Sequence, residues 1–487
     1  MLKYGVLGLF LLVMILVGLI SYRKVQTSED YVLGGRKIGP WLSAFSYGTT
    51  YFSAVVFVGY AGRFGWQFGL SATWIGIGNA VIGSLLAWLL LAERTRRISQ
   101  AMQVSTMAEF FRKRYDSIGI ERFAAVIIFI FLIPYSASVY QGLGYVMQRY
   151  FSDSILADIR ISMMLIAIVT GVYLFFGGYL STAINSLIQG LIMTIGVGYM
   201  AVRVVQLSGG FSEAHAALSA IQTDVIPVGS LVQPLGPMPF DLITLILMTS
   251  LGTLGLPQMI AKFNGIRDRV TVRRATIMST LLALIIGGGA YWIGGFSRVL
   301  TQKRAIEFNT ADLDTLMPAV FESILSPGLM AILIVLMMSA SMSTLASVVL
   351  VSAPTFGRTI LKKKSMLVMR LLSLLFVFIS YLIAVIPSAI VTLMAFSWGA
   401  VSGAFIGPYI WGLYDRKATR AGAVAGMVSG LGTVIIGAAI ILILQLPTGL
   451  WSPRLAVLAM LVSLVITPLA SRLTRRWFPI PEGASFL

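Results

Sequence analysis

Long apolar segments recur along the whole chain, and they constrain its fold more than any single motif. Of the 487 residues, 57% are hydrophobic and only 11% are charged, a balance typical of helical membrane proteins. Continuous apolar runs also exclude a β-barrel, whose strands alternate over short segments. We therefore predict an all-α polytopic membrane protein with thirteen transmembrane helices, near residues 4–22, 40–62, 66–92, 122–147, 160–178, 180–206, 239–261, 275–298, 326–356, 368–387, 389–413, 420–446 and 454–471.

The basic residues predict how the chain is oriented. One set of segments carries 27 of the 36 Lys and Arg residues, whereas loop 207–238 carries none. The positive-inside rule makes the basic face cytoplasmic, so we expect a cell-membrane protein with its N-terminus outside and its C-terminus inside. The net charge of +18 then reflects topology in a lipid bilayer, and we predict neither a nucleic-acid partner nor an obligatory protein partner. The basic segments are 23–39, 93–122, 262–274, 357–370, 414–420 and 472–487.

The chain lacks the residues that several kinds of catalytic, metal and pore site require. The chain has no cysteine, and its one histidine, His215, lies in a predicted loop, so disulfides, thiolate nucleophiles and histidine metal centres are not expected. No paired carboxylates lie within the spans, which argues against an enzyme. No pore-lining rings or repeated filter loops are visible, which argues against a channel.

The second and seventh spans are poor continuous helices. The second contains the polar, glycine-bearing stretch 47–54, and the seventh contains stretch 249–258 with two glycines and Pro257. Glycine and proline loosen a helix and release backbone carbonyls and amides. At membrane depth such groups persist only inside protein or beside a watery cavity. Both spans are therefore predicted to be discontinuous.

The positions of these breaks, five spans apart, predict a transporter built from two inverted five-helix repeats. The first repeat would cover residues 39–206 and the second 239–414, with an external loop at 207–238 between them. Residues 1–38 would form an extra N-terminal helix and a cytoplasmic loop. Residues 415–487 would form two peripheral helices and a cytoplasmic tail.

Five hydroxyl side chains lie between Met337 and Ser347 inside the ninth span. At helical spacing, Ala340, Ser343, Thr344 and Ser347 share one face. Hydroxyls in an apolar span need partners, and two explanations fit. The row either forms a helix–helix seam of small residues or holds a hard cation that prefers oxygen ligands.

Three sequence blocks resemble the sodium:solute symporter family, which includes bacterial proline, pantothenate, monocarboxylate, sialic acid and sugar carriers. The first block contains Glu-Asp-Tyr-Val-Leu-Gly-Gly-Arg, Trp-Leu-Ser and Phe-Val-Gly-Tyr-Ala-Gly; the second contains Ser-Ala-Ser-Met-Ser-Thr; the third is glycine-rich. They occupy residues 29–36, 41–43 and 57–62, then 339–344, then 412–430. The resemblance implies the five-plus-five inverted-repeat (LeuT-like) core with thirteen spans.

The resemblance also implies a site for Na⁺ as the coupling ion. It would join the broken second span to the ninth span. The implied ligands are the backbone carbonyls of Thr49, Phe52 and Ala340 and the hydroxyls of Ser343 and Thr344.

One departure from the family bears on stoichiometry. Some members carry an aspartate that serves a second sodium site or its gating, where this chain has Ser186. Ala346 also replaces a hydroxyl expected there, although Ser347 remains. We therefore predict one Na⁺ per transport cycle.

The predicted substrate is a small-molecule solute taken into the cell by alternating access: a monocarboxylate, pantothenate, or an amino acid such as proline. A proton-coupled or uncoupled carrier of the same fold, or a membrane solute sensor, remains an alternative. The substrate cavity should lie near the helix breaks. Its candidate lining residues are Tyr51, Ser53, Tyr140, Gln141, Gln258, Phe396 and Trp398.

Overall fold

The computed structural model describes residues 2–22, 36–363 and 365–487. The predicted loop segment 23–35, which holds residues 29–35 of the first sequence block, and Lys364 lie outside the described residues. Within those ranges the chain is helical, with only isolated bridges such as Ile38 to Ile266. Its α-helices are α1 (Leu2–Tyr22), α2 (Pro40–Tyr51), α3 (Gly62–Phe68), α4 (Thr73–Gly78), α5 (Glu93–Ala101), α6 (Met107–Tyr115), α7 (Ile118–Tyr150), α8 (Ile159–Leu207), α9 (Phe211–Ala220), α10 (Pro239–Leu251), α11 (Pro257–Asn264), α12 (Arg269–Ala283), α13 (Gly289–Gly295), α14 (Ser297–Arg304), α15 (Leu316–Ile324), α16 (Pro327–Thr359), α17 (Met366–Ala384), α18 (Ile390–Tyr414), α19 (Arg420–Ile443) and α20 (Thr448–Thr474).

Ten helical stretches in the described ranges are long and apolar enough to cross a membrane, or eleven when one bent pair is counted as a single span. The stretch Val56–Ala101 alone covers part of the second predicted span and all of the third. Within it, Gly69 (φ 61°) ends α3. A side chain at Gly69 would meet the carbonyl oxygen of Leu231 at 2.4 Å, so glycine is required where the two predicted spans join. The total of thirteen spans stays a prediction.

The second predicted span is interrupted where the sequence indicated. Helix α2 ends at Tyr51, and Phe52 follows in an extended conformation (φ −107°, ψ 115°). Helical structure resumes at Ala54 and continues as π-helix over Val56–Ala61. The break therefore spans Phe52 and Ser53, inside the predicted stretch 47–54.

The seventh predicted span is interrupted as well. Helix α10 passes into a 3₁₀ turn over Gly252–Leu254, and α11 begins with Pro257 in its first turn. The two halves meet at an angle of 42°. Because Pro257 has no N–H to donate, it suits a helix start after the break better than a helix interior.

One prediction differs from the structure. The fifth and sixth spans were expected as separate helices at 160–178 and 180–206, whereas α8 runs unbroken through the boundary, which follows Gly177 and Gly178. At 49 residues its path is about 74 Å, more than twice the hydrocarbon thickness. Two apolar stretches, Ile159–Phe176 and Thr182–Leu207, still lie within it. Glycine permits helical dihedral angles, so a pair of glycines does not by itself end a helix.

Helices α16 and α18 form the centre of the molecule. In the most apolar window of α16, 89% of residues are buried within the protein, and in that of α18 83% are. The corresponding fractions for α19 and α20 are 33% and 39%, as expected for helices at the periphery. Helix α16 carries the hydroxyl row, so this row faces protein on nearly every side.

Candidate functional site: a hydroxyl cluster at the first helix break

The hydroxyl of Thr344 on α16 lies directly against the broken end of α2. Its Oγ1 is 3.2 Å from the carbonyl oxygen of Thr49 and 3.3 Å from that of Thr50. It is also 3.1 Å from the carbonyl oxygen of Ala340, one turn earlier on α16. Three carbonyl oxygens from two helices therefore converge on one buried hydroxyl.

This cluster holds more acceptors than protons. A hydroxyl has a single proton, so Thr344 can donate to only one of the three carbonyls at a time. In an unbroken helix the Thr50 carbonyl would accept from the N–H of Ala54; here that N–H points to Ser341 Oγ, 3.3 Å away. The resulting excess of partial negative charge suits a small cation that prefers oxygen ligands.

Ser343 extends the cluster to a third helix. Its Oγ lies 2.8 Å from Thr49 Oγ1 on α2 and 2.8 Å from Ser186 Oγ on α8. Thr49 Oγ1 also donates to the carbonyl of Phe45 within α2. Helices α2, α8 and α16 are therefore joined through neutral oxygen atoms.

Hydrogen-bond contacts thus link four of the five residues predicted as sodium ligands. Thr344 contacts the carbonyls of Thr49 and Ala340, and Ser343 contacts the hydroxyl of Thr49. The fifth, Phe52, is the residue at which α2 stops. Because the helix ends there, its carbonyl belongs to the interrupted segment. All five residues are buried. The donor set consists of backbone carbonyls and hydroxyls, a composition that suits Na⁺ and not a softer metal.

Ser341 is not on the face shared by Ala340, Ser343 and Thr344, but it also contacts the helix break. It accepts the hydrogen bond from Ala54 N–H described above and so satisfies a backbone donor released by the break. An unpaired buried N–H costs about 1–3 kcal/mol. Only the combination of a break at Phe52 and a hydroxyl on α16 could have indicated this contact.

A second hydroxyl pair lies one turn further along α16. Ser347 Oγ donates to the carbonyl of Ser343 at 2.9 Å and lies 2.8 Å from Thr50 Oγ1. The ammonium of Lys262 on α11 donates to Ser347 Oγ at 2.8 Å. Lys262 was counted with a basic loop from the sequence, but only 3% of it is exposed. Its neighbours in the fold, and not its place in the chain, decide its environment.

Two predicted substrate residues meet beside the break. The rings of Tyr51 and Trp398 are 6.4 Å apart, and Tyr51 also stacks on Phe52 at 4.5 Å. Ser53 lies in the break itself, where its Oγ accepts from Val55 N–H. The indole N–H of Trp398 has no hydrogen-bond partner within the described part of the chain. This group remains the predicted wall of the substrate cavity.

The other predicted substrate residues lie apart from that group. Gln141 donates to the carbonyls of Ala384 and Ile386. These hydrogen bonds hold α7 to the connection between α17 and α18. Phe396 packs on Phe131 and lines an apolar cavity with α19 and α20. Tyr140 is fully buried. Gln258 lines a small cavity with Lys262. The structure does not bring these four into one site.

Asn79 is a buried polar residue that the sequence reading did not single out. Its Oδ1 accepts from Thr249 Oγ1 at 2.7 Å and from Ser250 Oγ at 3.2 Å. The Tyr51 hydroxyl donates to the carbonyl of Thr249 at 2.7 Å. These contacts connect the two helix breaks. An asparagine in an otherwise apolar span was the available signal.

An ion pair joins helix ends on the face expected to be external. Asp314, in the loop before α15, lies 3.5 Å from Arg63 on α3 and accepts from the N–H of Ile390 at the start of α18. Burial raises the pKa of Asp314, and the nearby Arg63 opposes this shift. Breaking the pair would free α3 from α18.

Solved structures of transporters share this fold. A substrate-bound, outward-open Na⁺-coupled sialic acid symporter matches with a TM-score of 0.76 at 17% identity, over 97% of this chain and 98% of that one. Mhp1, a nucleobase-cation-symport-1 family transporter, matches with a TM-score of 0.59 at 15% identity, over 94% and 98%. At such identities the likeness concerns the fold alone.

Characterised relatives extend over nearly the whole chain. The osmoregulated proline transporter OpuE of Bacillus subtilis is 27% identical over 444 residues, covering 88% of this chain and 87% of its own. The sodium/proline symporter of Staphylococcus aureus is 26% identical over 492 residues, covering 97% and 93%. The profile of the sodium:solute symporter family matches residues 31–430. The chain therefore belongs to this family: it is a multi-pass membrane transporter of small-molecule solutes coupled to Na⁺, and not an enzyme.

Proposed function

We propose that this protein imports a small organic solute, with proline the first candidate, together with one Na⁺ per cycle. One observation carries the proposal: three carbonyl oxygens from α2 and α16 converge on the single hydroxyl of Thr344. Proline is the first candidate because two relatives are named for proline transport. Other amino acids, monocarboxylates and pantothenate follow.

In the proposed sodium site the ligands are the carbonyls of Thr49, Phe52 and Ala340 and the hydroxyls of Ser343 and Thr344. These oxygens would replace the hydration shell of the ion. No carboxylate stands among them, so the charge of Na⁺ is not neutralised on binding. Entry down the membrane potential is then worth up to about 2.3 kcal/mol per 100 mV.

Coupling follows from where the site lies. Na⁺ would bridge the broken end of α2 to α16, and the residues that complete the break, Phe52 and Ser53, adjoin Tyr51 and Trp398. An ion that binds the bridged state more tightly shifts the population toward it and pre-forms the adjoining solute cavity. A small zwitterion or carboxylate would find amide donors at the nearby half-helix ends.

The proposed topology has thirteen spans, with two inverted repeats over residues 39–206 and 239–414. Contacts on two separate faces support it. Lys3 pairs with Asp153, and Lys303 with Glu213, all in segments assigned to the outside. Arg114 donates to the carbonyl of Asp415, and both residues lie in segments assigned to the cytoplasm. It also donates to the carbonyl of Gly412, at the adjoining end of the eleventh predicted span. The N-terminus is placed outside and the C-terminus inside.

A thermal-shift screen of the purified transporter, with and without Na⁺, tests the substrate and the coupling ion together. We expect proline to raise the melting temperature only when Na⁺ is present. A solute that stabilises equally in Na⁺, K⁺ and choline would contradict Na⁺ coupling. If another solute of the series stabilises the transporter in Na⁺ and proline does not, that solute becomes the proposed substrate. The proposal of Na⁺ coupling would then still hold.

A further inference from the structure

Lys262 is a buried cation adjacent to the proposed sodium site. Two hydrogen bonds in series, of 2.8 and 2.9 Å, connect its ammonium through Ser347 Oγ to the backbone carbonyl of Ser343. The side chain of the same residue, Ser343, supplies a hydroxyl of the proposed site, and this hydroxyl lies 2.8 Å from Thr49 Oγ1. The side-chain nitrogen of Lys262 therefore lies within a few hydrogen bonds of the place assigned to Na⁺.

Nothing in its cavity neutralises this charge. Within the described chain, the cavity is lined by hydroxyl, amide and apolar side chains and by no carboxylate, including Ser105, Thr106, Tyr179, Gln258, Ser347 and Thr355. The ammonium contacts Ser347 Oγ and lies 5.2 Å from the ring centre of Tyr179. Burying an ion without a counter-ion is costly. An ammonium that keeps its charge here depends on neutral oxygen ligands, of which Ser347 Oγ is one.

The cavity also contains unpaired polar atoms. Both amide atoms of Gln258, one turn before Lys262, are buried without a hydrogen-bond partner among the described residues. The hydroxyl of Thr355 is likewise without a partner. Together with Ser347, whose Oγ also lies 2.8 Å from Thr50 Oγ1, these groups offer neutral oxygens that would accept a cation. The ammonium of Lys262 already points into it.

We propose that Lys262 serves as a tethered cation: its ammonium takes the place of a second ion beside Thr50 and Ser347, limits binding to one Na⁺, and weakens that binding by repulsion. The inference rests on the proposed sodium site. Two unit charges less than about 10 Å apart in a protein interior repel enough to change affinity about tenfold. The tethered charge would therefore set how readily Na⁺ leaves.

The test is a Na⁺ titration of the melting temperature of the full-length transporter, with ionic strength held constant by choline. Lys262→Gln removes the charge and keeps an N–H donor for Ser347, and Lys262→Arg keeps the charge. Lys303→Met is the matched control, because it removes a lysine that pairs with Glu213 on the opposite face. We expect the glutamine variant to reach half-saturation at about tenfold lower Na⁺, and the other two to match the wild type.

An unchanged or weaker Na⁺ affinity in Lys262→Gln would overturn the proposal. A wild-type titration steeper than one bound ion would overturn it too, because a second Na⁺ would then bind despite Lys262. If Lys262→Gln does not fold, Lys262→Met is titrated with the same expectation. If the melting temperature of the wild type does not change with Na⁺ concentration, the proposed sodium site itself is refuted. This outcome differs from the outcomes that refute only the role of Lys262.

Discussion

Replacing Thr344 by valine removes one hydroxyl from the proposed sodium site and keeps the shape of the side chain. In the structure this hydroxyl lies 3.1–3.3 Å from three carbonyl oxygens of α2 and α16. We expect Thr344→Val to weaken Na⁺ binding strongly and to alter folding only modestly.

The magnitude follows from the contacts. A polar contact to a charged group is worth about 1.5–3 kcal/mol. Because about 1.4 kcal/mol corresponds to tenfold in affinity, the Na⁺ concentration at half-saturation should rise about ten- to hundredfold. Without Na⁺ the variant loses one neutral hydrogen bond, a destabilisation of about 1 kcal/mol. The effect on ion binding thus exceeds the effect on the fold.

The assay is a Na⁺ titration of the melting temperature, repeated as a titration of solute uptake. Thr359→Val is the matched control: the same change on the same helix, at a hydroxyl that donates to Glu121 at 3.3 Å, about 22 Å from Thr344. Its Na⁺ titration should match the wild type. A Thr344→Val midpoint within twofold of the wild type would refute the reasoning.

Three further predictions concern the surroundings of the site. Ser341→Ala leaves Ala54 N–H without its acceptor, so the melting temperature should fall by the equivalent of about 1 kcal/mol; an unchanged value would contradict this contact. Gly252→Ala places a methyl group 2.6 Å from the Trp398 ring, so the KM for solute should rise in uptake assays while the Na⁺ titration stays unchanged, and an unchanged KM would remove Trp398 from the cavity. Burial raises the pKa of Asp314, so acidification protonates it earlier than an exposed aspartate; this favours the folded state but breaks the pair with Arg63. Labelling of Ser53→Cys from outside, measured relative to an exposed cysteine at the same pH because only the thiolate reacts, should therefore quicken at low pH and be fast at every pH when Asp314→Asn is added. A relative rate that does not change with pH would contradict this role of the pair.

The sequence located the breaks well because their causes are local. Glycine, proline and polar residues interrupt helical hydrogen bonding wherever they occur in an apolar span. Phe52 and Pro257 lie within the stretches that this argument selected. The shared face of Ala340, Ser343 and Thr344 follows equally from helical periodicity.

What the sequence did not reveal depends on partners far away in the chain. Lys262 belongs to a basic stretch of the sequence, which suggests an exposed side chain. In the fold it is buried and donates to Ser347, which is 85 residues away in the chain. Gln141 was expected at the substrate cavity, yet it ties to a connection 243 residues away. Phe396 was also expected at the substrate cavity, but its side chain lines an apolar cavity between helices. The environment of each of these side chains depends on tertiary packing, which the periodicity of the sequence does not reveal.

We expect Na⁺ to drive solute uptake from the site between α2 and α16. Accumulation of radiolabelled proline in proteoliposomes tests it most directly, under an inward Na⁺ gradient and under a matched K⁺ gradient, for the wild type and for Ser343→Ala with Thr344→Ala. We expect the wild type to accumulate proline only with the Na⁺ gradient, and the double variant to lose that stimulation while Ser352→Ala, a buried serine on the same helix, retains it. Equal Na⁺ stimulation in the wild type and the double variant would contradict the claim.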